Sequence, residues 1–197
     1  MSAIRTFIAA ELSDEVRSQI CGAIVRLREC LEGVRWVATE NLHLTFKFLG
    51  NVEPDHLERV LCEVEGVARG SAPFVLSFSG LGVFPNVRRP RVIWVGVDDG
   101  SDDLIAIQKA VETALVRRGF PKDDKPFRPH LTVGRVRSKR PTPDLAALLS
   151  DIEVRPSPQM ITHVSVFRSD LTPNGPIYKA LARYELSGRR DNISLPH

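Results

Sequence analysis

Leu42-His43-Leu44-Thr45-Phe46-Lys47-Phe48-Leu49-Gly50 alternates, with Leu42, Leu44, Phe46 and Phe48 on one parity and His43, Thr45 and Lys47 on the other. Such alternation predicts a strand with one face on a core and the other turned to a polar space. His43 and Thr45 then point the same way, roughly 6–7 Å apart along the strand. A second stretch, Pro129-His130-Leu131-Thr132-Val133-Gly134-Arg135, repeats His-Leu-Thr followed by an apolar residue. Here Leu131 and Val133 oppose His130 and Thr132. The two copies lie far enough apart for each to belong to its own half of a duplicated structure.

Outward from these stretches, Thr6 to Leu12 reads as a buried strand, and Ser13 or Asp14 caps a helix with Val16, Ile20, Ala23, Ile24, Leu27 and Leu31 on one face. Val34 to Val37 is a short strand. Pro54 opens a second helix, whose face is Leu57, Val60, Leu61, Val64 and Val67. Phe74 to Leu81 alternates as a strand, and Gly82 to Asn86 follows as a loop. Val92 to Val97 is strongly β-prone. A third helix carries Leu104, Ile107, Val111 and Leu115 in one stripe and ends at Gly119. Pro121 to Pro129 is a charged loop, Ser138 to Pro143 another loop, and Asp144 to Leu149 a short helix. Ile161 to Leu171 and Ile177 to Leu186 are strands about a turn at Thr172 to Pro176. Residues 1–188 are expected to form one domain and residues 189–197 a loose tail. The order predicts an α+β class with two antiparallel-rich sheets and outer helices. No Gly-rich phosphate loop points to a Rossmann or P-loop fold.

A chain of 197 residues, 43% hydrophobic and 26% charged, has the composition of a soluble globular protein with one core or two lobes sharing one. No apolar run reaches the length of a membrane span, and Met1 to Thr6 shows no signal-peptide core. Cys21, Cys30 and Cys62 sit in helical patterns and read as buried thiols of a reducing, cytoplasmic compartment. The net charge of +3 permits an anionic substrate without demanding a long nucleic-acid track.

If the two halves pack about a pseudo-two-fold axis, His43 and His130 converge on one cleft, with Thr45 and Thr132 beside them. A zinc pair would need a third ligand, and no HExxH, HxH or CxxC supplies it, so no metal is expected. His163 in His163-Val164-Ser165-Val166 imitates the pattern with serine, and reads as solvent-facing or satisfied. His56 reads as helix surface and His197 as terminal.

The chain resembles the two-histidine (2H) phosphoesterase superfamily, and within it the bacterial and archaeal RNA 2′,3′-cyclic phosphodiesterases, also called 2′-5′ RNA ligases. Its two HxTx motifs are His43-Leu44-Thr45-Phe46 and His130-Leu131-Thr132-Val133. The likeness extends to Arg5-Thr6-Phe7-Ile8-Ala9, Arg35-Trp36-Val37, Phe48-Leu49-Gly50, Gly82-Val83-Phe84-Pro85, Arg91 to Val97, Phe127-Arg128-Pro129-His130, and Arg168-Ser169-Asp170-Leu171 with Gly175 and Tyr178. It covers about residues 4 to 186.

The resemblance implies a bilobal duplicated fold with an active-site cleft between lobes. It also implies metal-independent opening of a terminal 2′,3′-cyclic phosphate to a 2′-phosphomonoester. His43 would be the proton donor and His130 the acceptor. Thr45 and Thr132 would hold the non-bridging oxygens, and Arg128 would add charge or remain a solvated loop residue. The expected partners are RNA 3′ ends or small cyclic nucleotides, with no cofactor, no membrane and a monomer as the default. Arg88-Arg89-Pro90-Arg91 and Arg135, Arg137, Lys139 and Arg140 are either solvated faces or steer an RNA backbone. Phe46, Phe84 and Phe127 are candidates to stack on a base, although the parity of Phe46 favours the core. A non-catalytic binding module of the same fold, or a phosphodiesterase for another small cyclic or 2′-5′-linked nucleotide, stays open.

Overall fold

Local signals place most of the elements where the sequence predicts them. Ser13 caps the first helix, its side chain accepting from the Val16 N–H at 3.2 Å. Pro54 stands at the start of the second, where a missing N–H costs nothing. The computed structural model describes residues 2–137, 145–173 and 175–189. Along the chain it contains β1 (Ile4–Glu11), α1 (Asp14–Cys30), β2 (Val34–Trp36), a 3-10 turn (Thr39–Asn41), β3 (His43–Val52) and α2 (Pro54–Gly70). There follow β4 (Phe74–Leu76), β5 (Phe78–Phe84), β6 (Val92–Val97), α3 (Ser101–Val116), β7 (His130–Val136) and α4 (Leu145–Asp151). The chain closes with β8 (Gln159–Ile161), β9 (His163–Thr172) and β10 (Gly175–Glu185). The expected loop 138–143, residues Lys139, Arg140, Asp144 and Asn174, and tail positions 190–197 with His197 lie outside the described residues.

The α+β expectation holds. One four-stranded antiparallel sheet has the order β10-β9-β1-β3 and a second the order β2-β7-β6-β5, with β4 and β8 forming a separate pair. The duplication is visible in the connectivity. β1–α1–β3 in the first sheet and β6–α3–β7 in the second are each a strand, a helix and an antiparallel neighbour that begins with a histidine. His43 pairs with Glu11, and His130 with Gly96. The lobes are interleaved. β2 precedes β3 in sequence but joins the second sheet beside β7, whereas β9 and β10 return to the first. Buried residues from both sheets and all four helices form one contiguous cluster, among them Ile8, Ile20, Leu44, Leu104 and Leu131.

The strict alternation expected across the first motif breaks in the middle. In β3, Thr45 pairs with Ala9 and Lys47 with Ile8, so Phe46 is an extra residue in a β-bulge. Phe46 and Lys47 are therefore both buried, and Phe48 turns out to the His43 side, 58% exposed. The core place expected for Phe48 is thus corrected, while that of Phe46 holds. Lys47, 2% exposed, reaches Glu112 on α3 at 2.5 Å and Asp123 in the loop before β7 at 3.0 Å. The Asp123 N–H in turn donates to Glu112 at 2.7 Å.

Three smaller expectations change. The strand expected at Phe74–Leu81 divides into β4 and β5, and β5 runs on to Phe84. A bulge at Gly80 (φ +68°) absorbs one residue, and only glycine fits at position 82, where a Cβ would lie 2.2 Å from the Trp94 ring. Ile161 belongs to β8, separate from β9, because it pairs with Phe74 of β4. The cysteines are free thiols, but Cys30 and Cys62 are exposed and Cys21 half-buried, since they fall off the inward stripes of α1 and α2. Among the described residues no helix is long and apolar enough to cross a membrane.

The Lys47 cluster generates a stability prediction. Burial raises the Glu112 pKa, but the Lys47 hydrogen bond, the Asp123 N–H and the Lys47 charge outweigh it and hold the carboxyl below its ordinary value. A depressed carboxylate stabilises the fold above its unfolded pKa and loses that contribution as pH falls through its folded pKa. Lys47→Met is expected to cost about 3 kcal/mol at pH 7, measured by urea denaturation, with a smaller penalty toward pH 3. A penalty constant with pH would assign the effect to packing instead.

Candidate active site

A cleft of about 1090 Å³ opens between the two sheets. β3 contributes His43, Thr45 and Phe48, and β7 contributes His130, Thr132 and Arg135. Tyr178 enters from β10 and Phe84 from the end of β5. The segments leading into the two motif strands, Arg35–Asn41 and Asp123–Arg128, add to the wall, with Pro85, Val92, Thr172, Gly175, Pro176 and Ile177.

The second motif repeats the bulge of the first at the same place. Thr132 pairs with Trp94 and Gly134 with Ile93, leaving Val133 as the extra residue. Val133 and Gly134 are buried together, as Phe46 and Lys47 are, and the next residue turns out to the histidine side. That residue is Phe48 in β3 and Arg135 in β7.

The imidazoles are held alike. His43 Nδ1 lies 2.7 Å from the Asn41 carbonyl oxygen, and His130 Nδ1 lies 2.7 Å from that of Arg128. A carbonyl only accepts, so Nδ1–H donates in both, and Nε2 is left for the cleft. Each ring stands against aromatic neighbours. Phe7 lies 4.7 Å from His43, and Tyr178 presents an edge-to-face contact at 5.2 Å. Phe84 meets His130 edge-to-face at 5.0 Å and is backed by Trp94 at 5.2 Å. Phe7 also stacks on Phe167 at 5.2 Å, so His43 rests on an aromatic row running across the sheet.

This surrounding makes charge expensive on the rings. Burial pushes the His43 pKa down to about 4; the Asn41 hydrogen bond opposes the shift and the Arg135 charge adds to it. His130 is also lowered, by burial first and by Arg135, against its bond to Arg128. Burial raises the Tyr178 pKa, and the positive charges of Arg135 and Arg5 oppose it. Arg135 thus acts electrostatically on both histidines. The hydroxyls of Thr45 and Thr132 have no partner among the described residues, although both line the cleft.

All five expected site residues, His43, Thr45, Arg128, His130 and Thr132, line this cleft, with Arg128 exposed at its edge. Phe84 and Phe127 line it too, and Phe46 sits at its floor, 6.5 Å from Phe127. His163 is elsewhere, bonded to the Thr162 hydroxyl at 2.7 Å, and His56 lies on α2. The sequence assigns no role to Phe48 or Tyr178 and groups Arg135 with the outer arginines. Simple alternation hides Phe48 and Arg135, because each falls on the parity of the core leucines. Among the described residues no cluster of three His, Cys, Asp or Glu could hold a metal ion.

The model of the 2′-5′ RNA ligase superfamily matches residues 16–173. A Methanothermobacter thermautotrophicus protein named RNA 2′,3′-cyclic phosphodiesterase is 36% identical over 184 residues, spanning 93% of this chain and 99% of the relative. One of the same name from Archaeoglobus fulgidus is 37% identical over 183 residues, spanning 92% and 100%. The crystal structure of a Thermus thermophilus protein superposes with a TM-score of 0.81 at 28% identity, covering 95% of this chain and 100% of that one. Escherichia coli LigT complexed with 3′-AMP superposes with a TM-score of 0.75 at 25% identity, covering 94% and 99%.

The depressed histidines should be visible in solution. In the free protein the His43 Cε1–H resonance is expected to titrate near pH 4, with His130 below 6.5. Inorganic phosphate in the cleft favours the charged rings, so it should move both midpoints up and bind more tightly as pH falls from 7. Midpoints near 6.5 that phosphate leaves unchanged would refute this picture.

Proposed function

The chain belongs to the 2′-5′ RNA ligase superfamily, and from that premise we propose that it hydrolyses a terminal 2′,3′-cyclic phosphate on RNA to a 2′-phosphomonoester by two-histidine acid–base catalysis. One observation carries the reading. Two imidazoles from separate sheets enter one cleft with Nδ1 committed to backbone carbonyls, and each has a threonine two residues on. Opening a cyclic phosphodiester needs a base for water, an acid for the departing oxygen and donors for the equatorial oxygens. The attacking and leaving oxygens lie roughly in line through phosphorus. Acid and base therefore belong on opposite walls, as these histidines are.

In this scheme His130 Nε2 takes a proton from water as its oxygen bonds to phosphorus. The bond from phosphorus to the ribose 3′ oxygen breaks, and His43 Nε2 delivers a proton to that oxygen. The 2′-phosphate remains on the ribose. Thr45 and Thr132 donate to the non-bridging oxygens. Arg135, on the histidine side of β7, neutralises the charge that develops there, and Arg128 adds to it from the rim. With its pKa pushed down to about 4, His43 is neutral at pH 7 in the free protein, so the substrate anion itself must charge it. With an RNA 5′ hydroxyl in the place of water, the same steps form a 2′-5′ linkage.

The assay is phosphorus NMR with an oligonucleotide ending in a 2′,3′-cyclic phosphate, in EDTA. A 2′-monophosphate is expected; a 3′-monophosphate, or activity only on adding zinc, would overturn the scheme. His43→Ala and His130→Ala should each lose about 10²–10⁴-fold in turnover while retaining the parent circular dichroism. Arg135→Ala should lose about 10²–10³-fold, as expected for removal of a charge-stabilising donor. The required state carries one proton on the pair, and both free pKa values lie below 6.5. The alkaline limb of kcat/KM, which reports the free protein, should therefore fall below pH 6.5, with that of kcat at higher pH.

A further inference from the structure

The far end of the second sheet gathers arginines, and of these catalysis uses Arg135 alone. Arg35 of β2 and Arg135 of β7 are directly opposed, so their side chains share a face. Both line the cleft. Arg137 follows two residues after Arg135, its N–H donating to the Gly33 carbonyl at 2.8 Å. Arg91 abuts the same strand end, its carbonyl accepting from the Val136 N–H at 3.0 Å. Beyond it, the β5–β6 turn carries Arg88 and Arg89, whose N–H groups both donate to the Asn86 side chain at 3.1 Å. That turn begins at Phe84 and Pro85, which line the cleft, and Phe84 touches the His130 ring.

All six arginines are exposed, and none makes a side-chain hydrogen bond or ion pair with another described residue. Of the other described arginines, Arg17, Arg69, Arg118, Arg168 and Arg183 each hold a carboxylate, and those without one, among them Arg5, Arg28, Arg59, Arg117 and Arg128, are scattered along the chain. In a chain of net charge only +3, clustering six unpaired cations on one sheet end incurs repulsion that the fold does not require. The segment ahead of His130 is mixed in sign by contrast: Asp123 and Asp124 stand with Lys122, Lys125 and Arg128, and Asp123 is held by Lys47. The arginine end is therefore the more positive one, and a polyanion is drawn out over it.

We propose that Arg137, Arg91, Arg89 and Arg88, entered through Arg35, form a track for the single-stranded RNA backbone that precedes the terminal nucleotide. This rests on the phosphodiesterase reading. The terminal cyclic phosphate sits between the histidines, and the upstream phosphates leave over the β2–β7 edge and along the β5–β6 turn. Contacts of this kind are sequence-independent, and each releases counterions.

The test compares a 2′,3′-cyclic mononucleotide with a ten-residue single-stranded oligonucleotide bearing the same end, using Arg88→Gln/Arg89→Gln/Arg91→Gln. These residues lie outside the cleft, so mononucleotide kcat/KM should stay within about twofold. The oligonucleotide KM should rise about 10-fold, and the slope of log affinity against log salt, read by fluorescence anisotropy, should flatten by about 2. Equal effects on both substrates, or an unchanged salt slope, would overturn the track. Turnover of neither substrate by the parent protein would instead overturn the phosphodiesterase reading, and the salt slope of binding alone would then decide the track. A preference for duplex over single strand would reject the partner named here.

Discussion

A β-strand presents alternate side chains to alternate faces, and it can break that rule within a sheet only by carrying an unpaired residue. Both motif strands do so directly after the threonine, at Phe46 and at Val133. Two consecutive residues then point into the core, and the next returns to the cleft. In β3 the second inward residue is Lys47, which ties the strand to α3 and to the loop ahead of β7. In β7 the returning residue is Arg135, which puts a permanent charge beside two imidazoles. One backbone irregularity, used twice, thus supplies a link between lobes and a fixed positive charge in the cleft.

The cleft's chemistry comes from a conflict that the fold leaves unresolved until a ligand arrives. Aromatic walls and Arg135 favour neutral imidazoles, whereas backbone carbonyls accept from Nδ1–H and favour the charged form. Burial dominates, so the rings favour the neutral form, with Nε2 left for a cleft that the two threonines also line. A phosphate anion reverses the balance, because it offsets Arg135 and stabilises an imidazolium. In the proposed scheme, binding of such an anion is coupled to proton uptake.

Much of this was legible beforehand because it is local. Apolar stripes, the Ser13 cap and Pro54 mark the helices, and two His-Leu-Thr strands mark the duplication and the residues that share the cleft. Phe48 and Arg135 escape a reading by parity for a specific reason. Both stand on the wrong parity unless a bulge precedes them, and nothing in Thr-Phe-Lys or Thr-Val-Gly announces an unpaired residue. The cysteines read as buried because their helices are amphipathic, but an amphipathic helix has two faces, and Cys30 and Cys62 lie on the outer one with Cys21 at its border. The interleaving of β2 with β7 was equally hidden, since a three-residue strand carries no mark of its partner.

The sequence by itself determined the class of fold, the pair of histidines and the threonine at i+2 of each. Those depend on periodicity and on spacing within one strand, which short-range sterics fix. Only the tertiary structure decided that Lys47 is buried, that Arg135 acts on both imidazoles, and that six arginines collect at one end of the second sheet. Each of these depends on which strands pair and in what register. Register is set by the burial of the whole core, a sum over residues distant in the chain that no single stretch contains.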